Sequence, residues 1–565
     1  MAIIPEAAQK VPMMFRAQVD GRCQLQRLVR DQEPDVVRWT DEWVKHTYPE
    51  APDFAEGVRT RPYTLTWRFV SNGGQDDSII RPAIGARGWP FLPGSSMKGI
   101  FRRACTPEER DRYCGKDLSG GDFQPGVLRF HGGYPTSTDW TEDLIDIVHP
   151  QQDWQVKTNT KAAGAFAQIS LYQPELRFGI SSAIPLAETE WETIWAIWEK
   201  ALAMGIGCRV CAGYGQPQDH TGNLVYKVQL KGQGQAAKLL DEVAEFRPNI
   251  FRAAIRGHAL RIFGGLTREA AAEELVATLF GGIHKGSDKV GLLSMKFQPF
   301  APSSPDLENP EIREFGQEPY RVETYKVEGE LSWLLTRTLP DTEQAELKEL
   351  VRHLLQFAMV FGGFGKSWRR ADHRLFFEEY YEQPNPLIGC HWQWLKGSAL
   401  RDVRVRKLDD VAPFIEKVRQ AAETWMRSQG AVPNPNQLAT WRESWHSGNV
   451  QVWGRLAESA EDSEAIQWLH KPYRSAIRQA RIPEGSIYQS SLTGRVNQVG
   501  RLWHRMYPVI GVKSNPDHPQ QKAPVRTGKF LELLTIFPDG SEQSEEFLNY
   551  LNSEQKRFKK LWGDD

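Results

Sequence analysis

Two hydroxyls and three cations follow a proline–glycine stop in Pro93-Gly94-Ser95-Ser96-Met97-Lys98-Gly99-Ile100-Phe101-Arg102-Arg103. Serine caps a helix start well, so Ser95 or Ser96 is expected as the cap. The other free N–H groups of the first turn carry a partial positive charge. Lys98 and Arg102 stand four apart and share a helix face. Together they form an anion cradle suited to a phosphodiester. Upstream, Gly73-Gly74-Gln75-Asp76-Asp77-Ser78-Ile79-Ile80-Arg81 sets two carboxylates in a polar loop. A carboxylate beside phosphate can bind a divalent ion or align an attacking ribose 2′-hydroxyl. Arg81 and Lys98 are placed to stabilise the charge that such a reaction develops. The same glycine-flanked acids also make a good solvated turn.

Other basic groups recur downstream. Arg247, Arg252, Arg256 and Arg261 line one flank of an expected helix, with Glu245 the one acid nearby. Solvated faces usually mix signs, so this flank reads as an RNA contact. Gly362-Gly363-Phe364-Gly365-Lys366-Ser367-Trp368-Arg369-Arg370 combines glycines that let phosphate approach the backbone with cations and stacking aromatics. Arg501, His504 and Arg505 form a less specific cluster, and His504 also reads as a core histidine. Cys208-x-x-Cys211 has zinc-like spacing, and Cys105 with Cys114 completes four thiolates. Against zinc, the second pair is not a CxxC, and cysteine is a common small buried residue.

The elements that must position these groups belong to a large chain. Its 565 residues suggest about three or four domains. Seventy basic and 71 acidic residues nearly cancel, so nucleic-acid binding must rest on local patches. Six cysteines are too few for a disulfide scaffold. No apolar run has membrane-spanning length, and no signal peptide is evident, so a cytoplasmic protein is expected.

Periodicity divides the chain into 1–60, 61–222, 223–395 and 396–565. The first segment is irregular, with a helix around Val36 to Val44. The second reads as a strand at Tyr63 to Val70, the cradle helix, strands at Val127 to Phe130 and Gln168 to Phe178, and a helix at Thr189 to Met204. Trp191, Trp195 and Trp198 on that last helix are assigned to the core. The third segment repeats the order with Leu224 to Leu230, a basic helix after Pro248-Asn249, a helix at Glu269 to Phe280, a strand at Tyr325 to Leu335 and a helix at Leu347 to Val360. The expected fold class is α+β, with two tandem ferredoxin-like (βαββαβ) modules, insertions and a mixed C-terminal extension. Residues 396–565 are expected to complete the second module, with a full third module as the alternative. They include a helix at Asp409 to Arg427, a strand at Phe530 to Phe537 and a charged terminal helix at Glu542 to Trp562.

The strand, loop, Pro93-Gly94-Ser95-Ser96-x-Lys98-Gly99, basic helix and later Gly205-Ile206-Gly207-Cys208-Arg209-Val210-Cys211-Ala212-Gly213-Tyr214-Gly215 resemble the RAMP superfamily, the RNA-binding backbone subunits of type III CRISPR effector complexes. The Gly362 to Arg370 loop resembles the same superfamily's glycine-rich loop in a second module, as in the tandem subunits of type III-D-like complexes. The resemblance implies an RRM-like fold, guide RNA, target RNA and other effector subunits as partners, and no membrane. It implies that Ser95, Ser96, Lys98, Arg102, Gly213, Tyr214, Gly215, Arg252, Arg256, Gly363, Gly365, Lys366, Arg369 and Arg370 contact RNA. It also implies target-RNA cleavage with a divalent cation, Mg or Mn, at Asp77, with Asp76 as the second choice. Asp241 is the nearest equivalent in the second module. Some members carry zinc, for which Cys105, Cys114, Cys208 and Cys211 are the ligands to consider. The alternatives are a non-cleaving RNA scaffold and a metal-independent endoribonuclease that processes CRISPR precursor RNA. The latter needs a general acid–base such as His131, His149 or His258.

Overall fold

Proline and glycine cut the first third of the chain into short elements, and long-range antiparallel pairing gathers them. A computed structural model of the protein describes residues 35–76, 79–118, 122–148, 153–158, 165–240, 243–284, 287–302, 308–315, 322–365, 390–395, 405–459, 461–470, 472–474, 485–488, 490–494, 498–514, 522–554 and 557–564. Helix α1 (Asp35–His46) buries Val36, Trp39 and Trp43 at helical spacing. Strand β1 (Arg59–Thr64), helix α2 (Gly94–Ala104), strands β2 (Leu128–Pro135) and β3 (Glu175–Ser182) and helix α3 (Glu188–Leu202) follow. The sheet order is β1-β3-β2, all antiparallel. Trp191, Trp195 and Trp198 of α3 are buried in the core, as their spacing predicts. The start of α2 lies against β2 through a Leu92–Gly133 bridge. Only glycine fits there: a Cβ on Gly94 would sit 2.1 Å from the Phe130 carbonyl oxygen.

The second set repeats this order at greater length. It contains β4 (Leu224–Gln235), α4 (Asn249–Gly264), α5 (Glu269–Phe280), β5 (Leu293–Pro299), β6 (Val322–Leu335), α6 (Asp341–Phe357) and β7 (Cys390–Trp394). Its sheet order is β5-β6-β4-β7. Cys390–Trp394 is the last strand of that path, and Glu311–Phe315 pairs with β6 as a fifth strand.

A third set follows α7 (Val411–Ser428). It contains β8 (Gln451–Ala457), α8 (Ala465–His470), β9 (Leu502–Ser514), β10 (Lys522–Ile536), α9 (Glu542–Asn549) and β11 (Lys559–Trp562). Its sheet order, β9-β10-β8-β11, is the second set's order again. Where the sequence reading expects one terminal helix over Glu542 to Trp562, the helix ends at Asn549 and the chain returns as β11 beside β8. Alternation explains how this sheet buries both faces. Val452, Leu531 and Leu533 belong to the core shared with α4, α6 and α7, while Trp453, Leu534 and Ile536 pack with Trp468 of α8 and Phe547 of α9. The molecule is thus a mixed helix-and-sheet protein with several small sheets. Among the described residues no helix is long and apolar enough to cross a membrane.

Candidate nucleic-acid interface

The cradle is present, built differently from the expectation. Pro93 is the N-cap of α2, and no side chain caps the helix. Proline presets the backbone angle for a helix start, so the turn forms without a serine cap. Ser95 and Ser96 stand instead inside the first turn, exposed. Met97, Ile100, Phe101 and Ala104 form the buried stripe of the helix. Lys98, Arg102 and Arg103 lie off that stripe, with Arg102 and Arg103 exposed. Among the described residues no carboxylate forms an ion pair with any of the three.

The expected acidic loop is a hairpin. Gly74–Asp76 pairs with Ile79–Arg81, with Asp76 opposite Ile79. Asp77 and Ser78 connect the strands and lie outside the described residues, as does Asp241. Ile80 pairs with Gln168, whose strand in turn pairs with Ile145–Val148. The hairpin is thereby tied to the sheet that carries Asp146.

The arginine flank of α4 does not face solvent. Arg247 is buried and pairs with Asp146. Arg256 pairs with Asp153, one bond measuring 3.0 Å. Arg261 pairs with Glu443, Nε to Oε2 at 2.8 Å. Arg252 donates to the carbonyl of Phe280. Arg252 and Arg256, expected on an RNA-facing flank, are thus engaged within the protein. The acids that balance this flank come from other parts of the chain, so a local count of charges misses them.

The first glycine-rich loop is an internal joint. Tyr214 is fully buried, and its hydroxyl donates to Asp146 at 2.7 Å. Its ring has no open face on which a base could stack. Gly213 and Gly215 adopt positive φ of 93° and 61°. A Cβ on Gly215 would lie 1.9 Å from the Ile206 carbonyl oxygen, so the glycine answers to the fold here. In the second loop, Phe364 is buried, and a Cβ on Gly365 would meet the Cys390 sulfur at 2.6 Å. Gly363 also has positive φ, 74°. Lys366, Trp368, Arg369 and Arg370 lie outside the described residues.

The sequence reading misses the buried polar joint itself. Arg68 Nε donates to Glu245 Oε2 at 2.8 Å, and Trp67 Nε1 donates to Glu245 Oε1 at 2.9 Å. Gln168 Nε2 donates to Asp146 Oδ2 at 2.6 Å. Burial opposes ionisation of Asp146, yet Arg247, Arg68, Tyr214 and Gln168 outweigh it and hold the carboxyl below its ordinary range. The signal was Arg68 itself, an arginine inside the apolar strand pattern Tyr63 to Val70.

Among the described residues no group of three or more His, Cys, Asp or Glu side chains is placed to hold a metal, so the four cysteines are not gathered into one set. In the C-terminal cluster, His504 is buried with Nε2 3.1 Å from Glu532 Oε1, which fits its core reading. Arg505 is also buried. His131 lies 2.8 Å from the Ser181 hydroxyl, His258 is enclosed, and His149 is outside the described residues.

No protein-family model matches the chain, and no curated protein matches it. Solved structures resemble parts of it, three of them as follows. The type III-B Cmr-beta complex bound to cognate target RNA contains a chain that is 18% identical, with a TM-score of 0.23 over 28% of this chain and 56% of that one. A type IV-B CRISPR complex contains one that is 15% identical, with a TM-score of 0.21 over 28% and 87%. Cmr6 from Pyrococcus furiosus is 12% identical, with a TM-score of 0.19 over 29% and 98%. The chain thus spans little more than half the length of the first of these.

Proposed function

We propose that this chain is a guide-RNA-binding backbone subunit of a type III-like CRISPR effector complex, partnered by guide RNA, target RNA and neighbouring effector subunits. The RNA phosphates would run along the outer face of α2, past Ser95, Ser96, Lys98 and Arg102. One observation carries this reading. Every arginine of the α4 flank is engaged within the protein, whereas the three cations of α2 pair with no described carboxylate. Cations left beside an uncapped helix start favour a polyanion.

The fold supports the same reading. Strand orders β5-β6-β4-β7 and β9-β10-β8-β11 both follow a strand–helix–strand–strand–helix–strand course, and β1-β3-β2 fits the same frame with its fourth place open. The segment after the first glycine-rich loop runs along that place, with Leu65 bridged to Pro217. We read these as three ferredoxin-like modules, one more than the tandem form that the sequence resemblance implies. The finer reading adds target-RNA cleavage at the Asp76–Asp77 hairpin. Their carboxylate oxygens suit a hard divalent cation such as Mg or Mn, which when bound would neutralise phosphate charge. Zinc has no gathered ligand set to support it.

The test is RNA binding by the full chain carrying Lys98→Ser with Arg102→Ser. Single-stranded RNA affinity is expected to fall, with the salt dependence of binding becoming shallower by roughly one ion per lost phosphate contact. Unchanged affinity and unchanged salt slope would move the RNA to another face.

A further inference from the structure

We propose that the β-ribbon formed by Gly115–Asp117 and Phe123–Pro125 is a docking plug for a neighbouring protein chain, seated in an apolar cleft with a basic rim. The ribbon is a two-stranded sheet that no other described strand joins. Its base is firmly mounted. It grows from the helix Pro107–Cys114, whose last residues, Tyr113 and Cys114, are buried. A Cβ on Gly126 would lie 2.3 Å from the Tyr113 carbonyl oxygen, and Val127 N donates to the Arg112 carbonyl at 3.0 Å. The far end stands in solvent. Phe123 is 53% exposed and Leu118 is 43% exposed, and Leu118 N donates to the Asp122 carbonyl at 2.8 Å. Exposed apolar side chains scattered singly need no explanation. Two at one end of a lone ribbon do, because such a ribbon is at best marginally stable in water.

Pairing and charge define what covers it. Phe123 stands opposite Asp117, so the two share one face of the ribbon. The next pair outward, Leu118 and Asp122, turns to the other face. Each face thus sets one apolar side chain beside one carboxylate. A plug that is apolar on both faces is buried by a cleft and not by a flat surface. Among the described residues neither Asp117 nor Asp122 forms an ion pair, while Lys116 is held by Asp111 at 3.7 Å. Two uncompensated carboxylates repel an RNA backbone and attract Lys or Arg at the rim of a protein cleft. Phe123 is the anchor of the plug, and Leu118 fills the opposite wall of the cleft.

The proposal goes beyond the RNA reading and does not depend on it. Its test is photo-crosslinking of the full chain in the cells that produce it, with Phe123→p-benzoylphenylalanine in one variant and Leu118→p-benzoylphenylalanine in a second. After irradiation, adducts are purified through this chain and mapped by mass spectrometry. The expected result is one protein partner for both variants, joined at a peptide whose apolar residues are flanked by Lys or Arg. Adding Asp117→Lys and Asp122→Lys to the first variant is expected to lower the adduct yield several-fold. Adducts to RNA, to a second copy of this chain, or to no partner at all would overturn the proposal. An unchanged yield after charge reversal would overturn the basic rim. The expected adduct in a complex free of guide RNA would uphold the docking plug and remove the RNA reading.

Discussion

Arg247, which follows β4, reaches Asp146 of the chain's first third, while Arg68 of the first third reaches Glu245 beside it. The two ion pairs cross in opposite directions, and all four side chains are buried. Each half of the joint thus supplies one cation and one anion. Tyr214 and Trp67 fill the remaining hydrogen-bonding positions. A glycine-rich loop expected to hold RNA serves to close this joint.

Removing one charge of the joint is expected to cost far more than a surface substitution. Asp146→Ala leaves the buried Arg247 guanidinium without its carboxylate partner and the buried Tyr214 hydroxyl without its acceptor. Breaking a buried pair in this way costs about 3–5 kcal/mol. Denaturant unfolding should show the loss, and a change below about 1 kcal/mol would mean that the joint opens to water.

The joint also sets an acid limit. Asp146 and Glu532 both ionise below their ordinary values in the fold, because their cationic and hydroxyl partners outweigh burial. A lowered carboxyl contributes its full stability above the unfolded value of about 4. That contribution fades as pH falls through the lower folded values. Melting temperature is therefore expected to drop below about pH 4, and Asp146→Asn should flatten part of that slope.

Arg256 separates the packing and RNA readings of α4. It pairs with Asp153 and is largely enclosed, with 13% of its side chain exposed. Arg256→Ala is expected to cost about 1–3 kcal/mol of stability and to leave the RNA salt slope unchanged under conditions where the chain stays folded. A shallower slope in a folded variant would return this arginine to the RNA track.

Cleavage is tested at the hairpin. Asp77→Ala with Asp76→Ala, assembled with guide RNA and its partner subunits, is expected to keep target binding and lose the cut beside this subunit. Persistence of that cut at the wild-type rate would leave the subunit a scaffold.

Local periodicity made several elements legible. The helix Glu269–Phe280 was readable to the residue, and the tryptophan stripe of α3 was correctly placed in the core. The cradle helix was legible from Pro93 and Gly94, although the cap was assigned to serine. The ion-pair partners that stayed hidden share one cause. Arg247, Arg256 and Arg261 read as free cations because Asp146, Asp153 and Glu443 lie about a hundred or more positions away in sequence. The extent of the second sheet was hidden for a related reason. Its closing strand, Cys390–Trp394, is only five residues long, and its partner Gly234 is more than 150 positions away.

The turn Trp154–Lys157 carries a final consequence. It buries Val156 among side chains of the second and third sets, and Lys157 and Val156 accept backbone bonds from Arg442 and Glu443. The Arg442 side chain adds a bond to the Gln155 carbonyl across a separation of 287 residues. During synthesis, the first third of the chain therefore leaves the ribosome with an apolar plug whose socket has not yet been translated. Completion must wait for the last third, which makes a prematurely terminated copy a ready substrate for chaperones and proteases.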